Sequence, residues 1–289
     1  MTELVTTIEL LQSCLKYLVL GVVQGLTEFL PISSTAHLKV FPLMMGWEDP
    51  GIAIAAILQL GSIVAVITYF RHDLQSVLKG ISVAIKRGQW KTHNAQLAIA
   101  LSIGTIPILL MGMAIKLFWK NFEDSIFRSI PSIALISIFM ALLLGVAETI
   151  GKKSKGLSSV SGIDGFLIGL GQMLALIPGV SRSGITLSTS LIFGWKREDA
   201  ARFSFLLGIP AITLAGLVEL KDVFNTQIAS YPSIIFPLII GVISSAIVSW
   251  LVIDWLLKYL QKQSTWLFVI YRLIFGMTLI SWWLKIPSK

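Results

Sequence analysis

The chain has 289 residues, 55% of them hydrophobic and 13% charged, and a net charge of +8. Soluble domains are about a quarter charged, so a chain this poor in charge cannot cover its surface in water; lipid is the solvent that suits it. Its basic residues sit in short loops between apolar runs, which argues for topology signals and against a nucleic-acid partner, and the single cysteine, Cys14, excludes a disulfide framework and a multi-cysteine metal site.

The N-terminus carries Glu3 and Glu9 and no basic segment, which argues against a cleavable signal peptide. The first apolar stretch, Tyr17 to Trp47, is interrupted by Glu28, Pro31, His37 and Lys39. It reads as two short helical halves around a Pro/Ser turn. Non-helical backbone at membrane depth needs protein or water around it, so this is a candidate re-entrant hairpin. Crossing about 30 Å of hydrocarbon takes about 20 apolar residues at 1.5 Å rise per residue. The runs 51–70, 95–115 and 129–147 meet that test without a charged residue. A second broken stretch follows, Gly165 to Trp195, interrupted by Pro178, Gly179 and Arg182. The runs 202–219 (holding Pro210), 233–253 and 266–284 (holding Arg272) complete the list. The predicted fold is an all-α polytopic membrane protein with six transmembrane helices and two re-entrant helical hairpins. The nine tryptophans are expected in interfacial belts and lipid packing.

The two broken stretches resemble each other. A shift of 148 residues places Gly21 on Gly169, Gln24 on Gln172, Ser33 on Ser181, and Gly46-Trp47 on Gly194-Trp195. This predicts a duplication within a single membrane domain: a first repeat over 1–147 with its hairpin at 17–47, and a second over 148–289 with its hairpin at 165–195. Three spans per half make the second repeat inverted. The loop 71–93 carries Arg71, Lys79, Lys86, Arg87 and Lys91 against Asp73. Placing it in the cytoplasm also puts Lys152, Lys153, Lys155, Lys196, Arg197, Arg202, Lys258 and Lys262 inside, as the positive-inside rule demands. Glu48-Asp49 and the sparse 219–232 loop then fall outside, with both termini.

Charges within apolar segments are costly and face cavities or partners. In the first hairpin Gln24 and Glu28 are four apart, on one helix face. Pro31 ends or bends that helix. Ser33, Ser34 and Thr35 then open the next half-helix, whose free N–H groups and dipole suit an anion. His37 lies three residues beyond Ser34, a spacing that allows a histidine-activated serine. Capping by the Ser/Thr run is the plainer reading, and it is compatible with phosphate binding. In the second hairpin Pro178-Gly179 makes the turn, Ser181, Ser183 and Thr186 offer hydroxyls, and Arg182 offers a planar fork for phosphate oxygens. If the turns meet tip to tip, the two anion sites suit a diphosphate. Arg272 reads as a phosphate ligand or as an ion-pair partner of Glu28, and Lys39 as an interface residue or a second-rank phosphate contact.

Gln-x-x-x-Glu followed by Pro-Ile-Ser-Ser-Thr-x-His (Gln24 to His37) resembles the first motif of the undecaprenyl-diphosphatase, or bacitracin-resistance, family. Pro-Gly-x-Ser-Arg-Ser-x-x-Thr (Pro178 to Thr186) resembles its second, and Tyr271-Arg272 fits the family pattern. Two positions depart from it: Gln24 where Glu is frequent, and Ala36 where Gly is common. The first departure shifts weight onto Glu28. The resemblance implies a divalent-cation-dependent diphosphatase of the bacterial plasma membrane, recycling undecaprenyl diphosphate for peptidoglycan synthesis. It implies Ser34 as nucleophile and His37 as its acid/base partner. Glu28 would be an acid/base group or cation ligand, holding Mg2+ or Ca2+ through the substrate phosphates. Ser33, Thr35, Ser181, Arg182, Ser183, Thr186 and Arg272 would bind phosphate, with Gln24, Pro31, Pro178 and Gly179 in support. The expected partners are the polyprenyl diphosphate and membrane lipids, with the active site towards the outer face. Homodimerisation, direct attack by water, and a lipid transporter of similar architecture remain the open alternatives.

Overall fold

A computed structural model of the chain describes residues 2–119, 122, 125–223 and 234–285. Among these described residues there are eleven α-helices: α1 (Thr2–Phe29), α2 (Ser34–Met44), α3 (Gly51–Tyr69), α4 (Arg71–Arg87), α5 (His93–Phe118), α6 (Ile130–Ile150), α7 (Gly162–Met173), α8 (Arg182–Ile192), α9 (Arg197–Val223), α10 (Ile235–Lys262) and α11 (Trp266–Lys285). Seven helices are long and apolar enough to cross a membrane. The protein is therefore a multi-pass membrane protein. Along α6, Leu135, Phe139, Leu142 and Val146 recur every three or four residues and are at least half exposed, a stripe that suits acyl chains.

The count by length is seven where the sequence suggests six. The leading arm of the first hairpin is no half-helix: it forms the end of α1, whose segment Ile8–Phe29 is itself of spanning length. Apolar Ile8, Leu10, Leu11 and Leu15 extend the pattern upstream of Tyr17 and override Glu9 and Lys16. The other arms are short as expected, 11 residues in α2, 12 in α7 and 11 in α8. Most of the 219–232 loop lies outside the described residues.

The helices gather into two compact units. One holds α1 up to Phe29, Ser34–Tyr69 and Ile212–Trp255; the other holds Leu30–Ser33, Phe70–Ala211 and the chain from Leu256. In the first, Tyr17 and Leu20 of α1, Leu38 of α2, Ile54, Ile57 and Leu58 of α3 and Leu238 of α10 form one buried apolar cluster. In the second, α5 and α7 touch at backbone level. A Cβ on Gly165 or Gly169 would lie 2.1 Å from Ala100 O or 2.3 Å from Gly104 O, so only glycine permits this approach.

One end of the second unit is laced by ion pairs. Asp73 accepts from Arg202, Glu148 from Arg197 and Lys153, and Asp164 from Lys155, while Glu198 accepts from Gln261. The loops around 71–73, 148–155, 196–202 and 258–262, read from charge as lying on one side of the membrane, are thus joined. Trp195 departs from the expected interfacial belt. It is fully buried, packs on Phe203 at 5.2 Å and lies beneath the Lys155 ammonium, because an isolated bridge between residues 155 and 195 draws it into the unit.

Candidate active site

The first unit contains a buried carboxylate with a hydroxyl on it. Glu28 ends α1 and is 5% exposed; Ser34 opens α2 beyond the Pro31 turn. The Ser34 hydroxyl donates to Glu28 Oε2 at 2.7 Å. Gln24, one turn back on α1, donates to the same oxygen at 3.0 Å, as the four-residue spacing predicts. Gln59 of α3 donates to the other oxygen, Oε1, at 3.1 Å.

α1, α3 and α10 approach closely enough to support this group. Cβ atoms on Gly25 and Gly61 would fall within 2.8 Å of the α10 backbone at Ser245 and 2.2 Å of it at Val242. The Gln24 amide lies 3.5 Å from the Ser62 hydroxyl, which in turn bonds Ser249 at 2.8 Å and Ser245 at 3.2 Å. All three serines are fully buried.

Ser34 has one proton and gives it to Glu28, and it makes no hydrogen bond to His37. The acid/base group in hydrogen-bond contact with Ser34 is thus Glu28. Ser34 and His37 both sit on α2, but His37 is buried one turn further along, while the α1 end brings Glu28 directly to Ser34. Thr35 is exposed. Lys39 pairs loosely with Asp49 at 3.9 Å, fitting an interface residue.

The second unit holds the turns of both hairpins, since Leu30–Ser33 belong to it. The Ser183 hydroxyl donates to Leu30 O at 2.9 Å and bonds Ser181 Oγ at 3.2 Å. Ser181 caps α8 by accepting from Gly184 N. The two turns thus meet through a side-chain-to-backbone bond. Under the 148-residue shift Ser33 (φ +79°) falls on Ser181 (φ +73°), and α2 falls on α8 residue for residue. Left-handed φ is uncommon outside glycine and costs about 1–3 kcal/mol, so each turn must be held by its surroundings. Gly179, with φ +93°, meets the same demand without a side chain.

Arg272 of α11 does the holding. It is 1% exposed and donates to Gly179 O at 2.7 Å, to Val180 O and Pro31 O at 3.1 Å, and to Ser137 O at 3.3 Å. Four of its five N–H groups are spent on carbonyls. Arg272 thereby staples the two turns. Arg182 is half-buried at the start of α8, donates to Ser204 O at 3.0 Å, and lies where a Gly208 Cβ would be 1.8 Å from Nη1. Thr186 is bonded to Arg182 O and to the Ser204 hydroxyl.

Gln59, Ser62, Ser245 and Ser249 were not expected at the site. Gln59 is the lone amide in its span, which is the signal that could have found it. Gln172, the counterpart of Gln24, is fully buried with neither amide atom hydrogen-bonded. Its i+4 neighbour is Leu176, so the second hairpin has no counterpart to the Glu28 carboxylate.

The family model described as Bacitracin resistance protein BacA matches residues 17–278. A protein named Undecaprenyl-diphosphatase from Prochlorococcus marinus (strain MIT 9303) is 63% identical over 289 residues, covering 100% of this chain and 98% of that one. Its namesake from Synechococcus sp. (strain WH7803) is 63% identical over 274 residues, 95% of each chain, and that from Parasynechococcus marenigrum (strain WH8102) is 62% identical over 273 residues, 94% of each.

Proposed function

The chain belongs to the BacA family of bacitracin resistance proteins, and on that premise we propose that it hydrolyses undecaprenyl diphosphate to undecaprenyl phosphate and inorganic phosphate. This returns the lipid carrier to peptidoglycan synthesis and underlies bacitracin resistance. The observation that carries the chemistry is the 2.7 Å bond from the Ser34 hydroxyl to Glu28. A serine whose proton already lies on a buried carboxylate is a nucleophile with its base in place.

In the proposed sequence Ser34 Oγ attacks the terminal phosphorus and its proton passes to Glu28. The bridging P–O bond breaks, and its electron pair leaves on undecaprenyl phosphate. Water then attacks the phosphoserine, the Ser–O–P bond breaks, and inorganic phosphate departs as Ser34 regains a proton. The N–H groups opening α2 carry the developing charge on the phosphate oxygens, and Arg182 is the proposed phosphate ligand of the second unit. Arg272 acts indirectly by fixing both strained turns. His37, buried on α2, is the second acid/base group of this hairpin.

Among the described residues no three carboxylate, histidine or cysteine side chains cluster, so a divalent cation has no protein cage. Glu28 fits as a single anionic ligand and nothing more. A Mg2+ or Ca2+ ion carried on the diphosphate oxygens would supply charge neutralisation there. The matching local geometry of the two hairpins supports a duplication, and the basic end of the second unit supports a cytoplasmic placement for it in the plasma membrane, with the first hairpin open to the outer face.

The test is phosphate release from undecaprenyl diphosphate by the purified protein, with and without chelator. Ser34→Ala should abolish release while retaining lipid binding. Release at the wild-type rate by that variant would transfer the attack to water, and binding without any release by the wild type would favour a transporter.

A further inference from the structure

Glu28 is gripped from two helices, and the grip divides its oxygens. Oε1 receives the α3 amide, Gln59 Nε2, whereas Oε2 receives Gln24 and the Ser34 hydroxyl. Gln59 and Ser62 are three apart and so share one face of α3. That face meets Gln24 and Glu28 of α1 in register, Gln59 on Glu28 and Ser62 on Gln24. The register is locked behind by the buried Ser62–Ser249 and Ser62–Ser245 bonds to α10.

We propose that Gln59 is a positioning residue of the hydrolase: its amide fixes the plane of the Glu28 carboxylate so that Oε2 stays turned to Ser34. The terminal torsion of a glutamate is broad and roughly two-fold, so a carboxylate held from one side only can swing its base oxygen away from the serine. A donor on each oxygen removes that freedom before substrate arrives, and this pre-organisation is what a base needs. The inference rests on the reading of Glu28 as the base for Ser34. A plain structural role, satisfying a buried acceptor, would affect folding and leave the turnover of folded protein alone.

Gln59→Met conserves length and volume and deletes the donor. Its kcat should fall about 10- to 100-fold, the worth of one hydrogen bond to a charged group, with KM within about twofold. Labelling of Ser34 by a fluorophosphonate, which needs no lipid substrate, should slow in parallel, while the thermal midpoint in detergent stays near that of the wild type. Gln59→Asn keeps an amide one methylene short of reach and should lose a similar factor, which keeps the test open if the methionine variant folds poorly. In a Glu28→Gln background the Gln59→Met change should have no further effect on labelling. Full kcat in both Gln59 variants, or an equal loss in the Glu28→Gln background, would overturn the assignment while leaving Glu28 as base. Undiminished turnover in Glu28→Gln alone would sink the base reading and this proposal with it.

Discussion

The guanidinium of Arg272 donates to the carbonyl of Pro31 at 3.1 Å, and the same group donates to Gly179 and Val180. One side chain from α11 thereby binds the turn of the first hairpin to the turn of the second. Turn carbonyls buried at membrane depth have no water to accept from, and each costs free energy if left alone. The planar fork serves several of them at once, which a lysine ammonium cannot reproduce.

Arg272→Met should therefore destabilise the protein by about 3 kcal/mol or more, since it strands several buried acceptors together. Arg272→Lys should recover only part of that. The measurement is the unfolding midpoint of purified protein in detergent, read beside phosphate release. A wild-type midpoint in Arg272→Met would remove the staple role and restore that of a phosphate ligand.

Ser34 and Glu28 act as one unit in the proposed mechanism, so their losses should not add. Ser34→Ala and Glu28→Gln should each lower kcat by about 10²- to 10⁴-fold, and the double variant should be no slower than the worse single. Multiplicative losses in single-turnover phosphate release would mean that the two residues serve separate steps.

Much of this was legible in the sequence, for a physical reason. Costly polar residues inside apolar runs stand out against their surroundings, so Gln24, Glu28, Ser34, Pro178 and Arg182 could be picked out, and helical spacing put Gln24 on Glu28. The Ser34–Glu28 bond was not legible because the α1 end returning Glu28 to Ser34 depends on the Pro31 turn, whereas the three-residue spacing to His37 is visible in one dimension. The stapling by Arg272 was hidden because its partners are backbone carbonyls, which no residue pattern displays. The roles of Gln59 and Ser62 depend on the packing of α3 against α1, which the sequence of the span does not display.

Arg182 is aimed by the absence of a side chain at Gly208, where a Cβ would come within 1.8 Å of its Nη1. Arg182→Ala should lower kcat by about 10²-fold or more through lost charge stabilisation. Gly208→Val should reproduce much of that loss without touching Arg182, because the guanidinium must vacate its seat. Steady-state kinetics of both variants, with lipid binding as the control, decide the point. Full activity in Gly208→Val would show that Arg182 works from another rotamer.

Asp164 offers a test of the ionic end of the second unit. It closes a capping box with Ser161 at the start of α7 and accepts from Lys155 at 2.5 Å. Burial alone would raise its carboxyl, but hydrogen bonds from Lys155 and Ser161 and the lysine charge outweigh it and hold the group below the usual carboxylate range. A carboxyl depressed in the folded state contributes stability that is complete above its unfolded value, about 3.9, and is lost as pH falls through the lower folded value. Asp164→Asn keeps a capping oxygen and removes the charge, so it should cost about 1 kcal/mol at pH 7. The gap between variant and wild type should then close as the pH is lowered below about 4, because the wild-type carboxylate is itself being protonated. Unfolding midpoints of the two proteins across that range give the answer, and a difference that persisted unchanged at the acid end would place its origin in packing rather than charge.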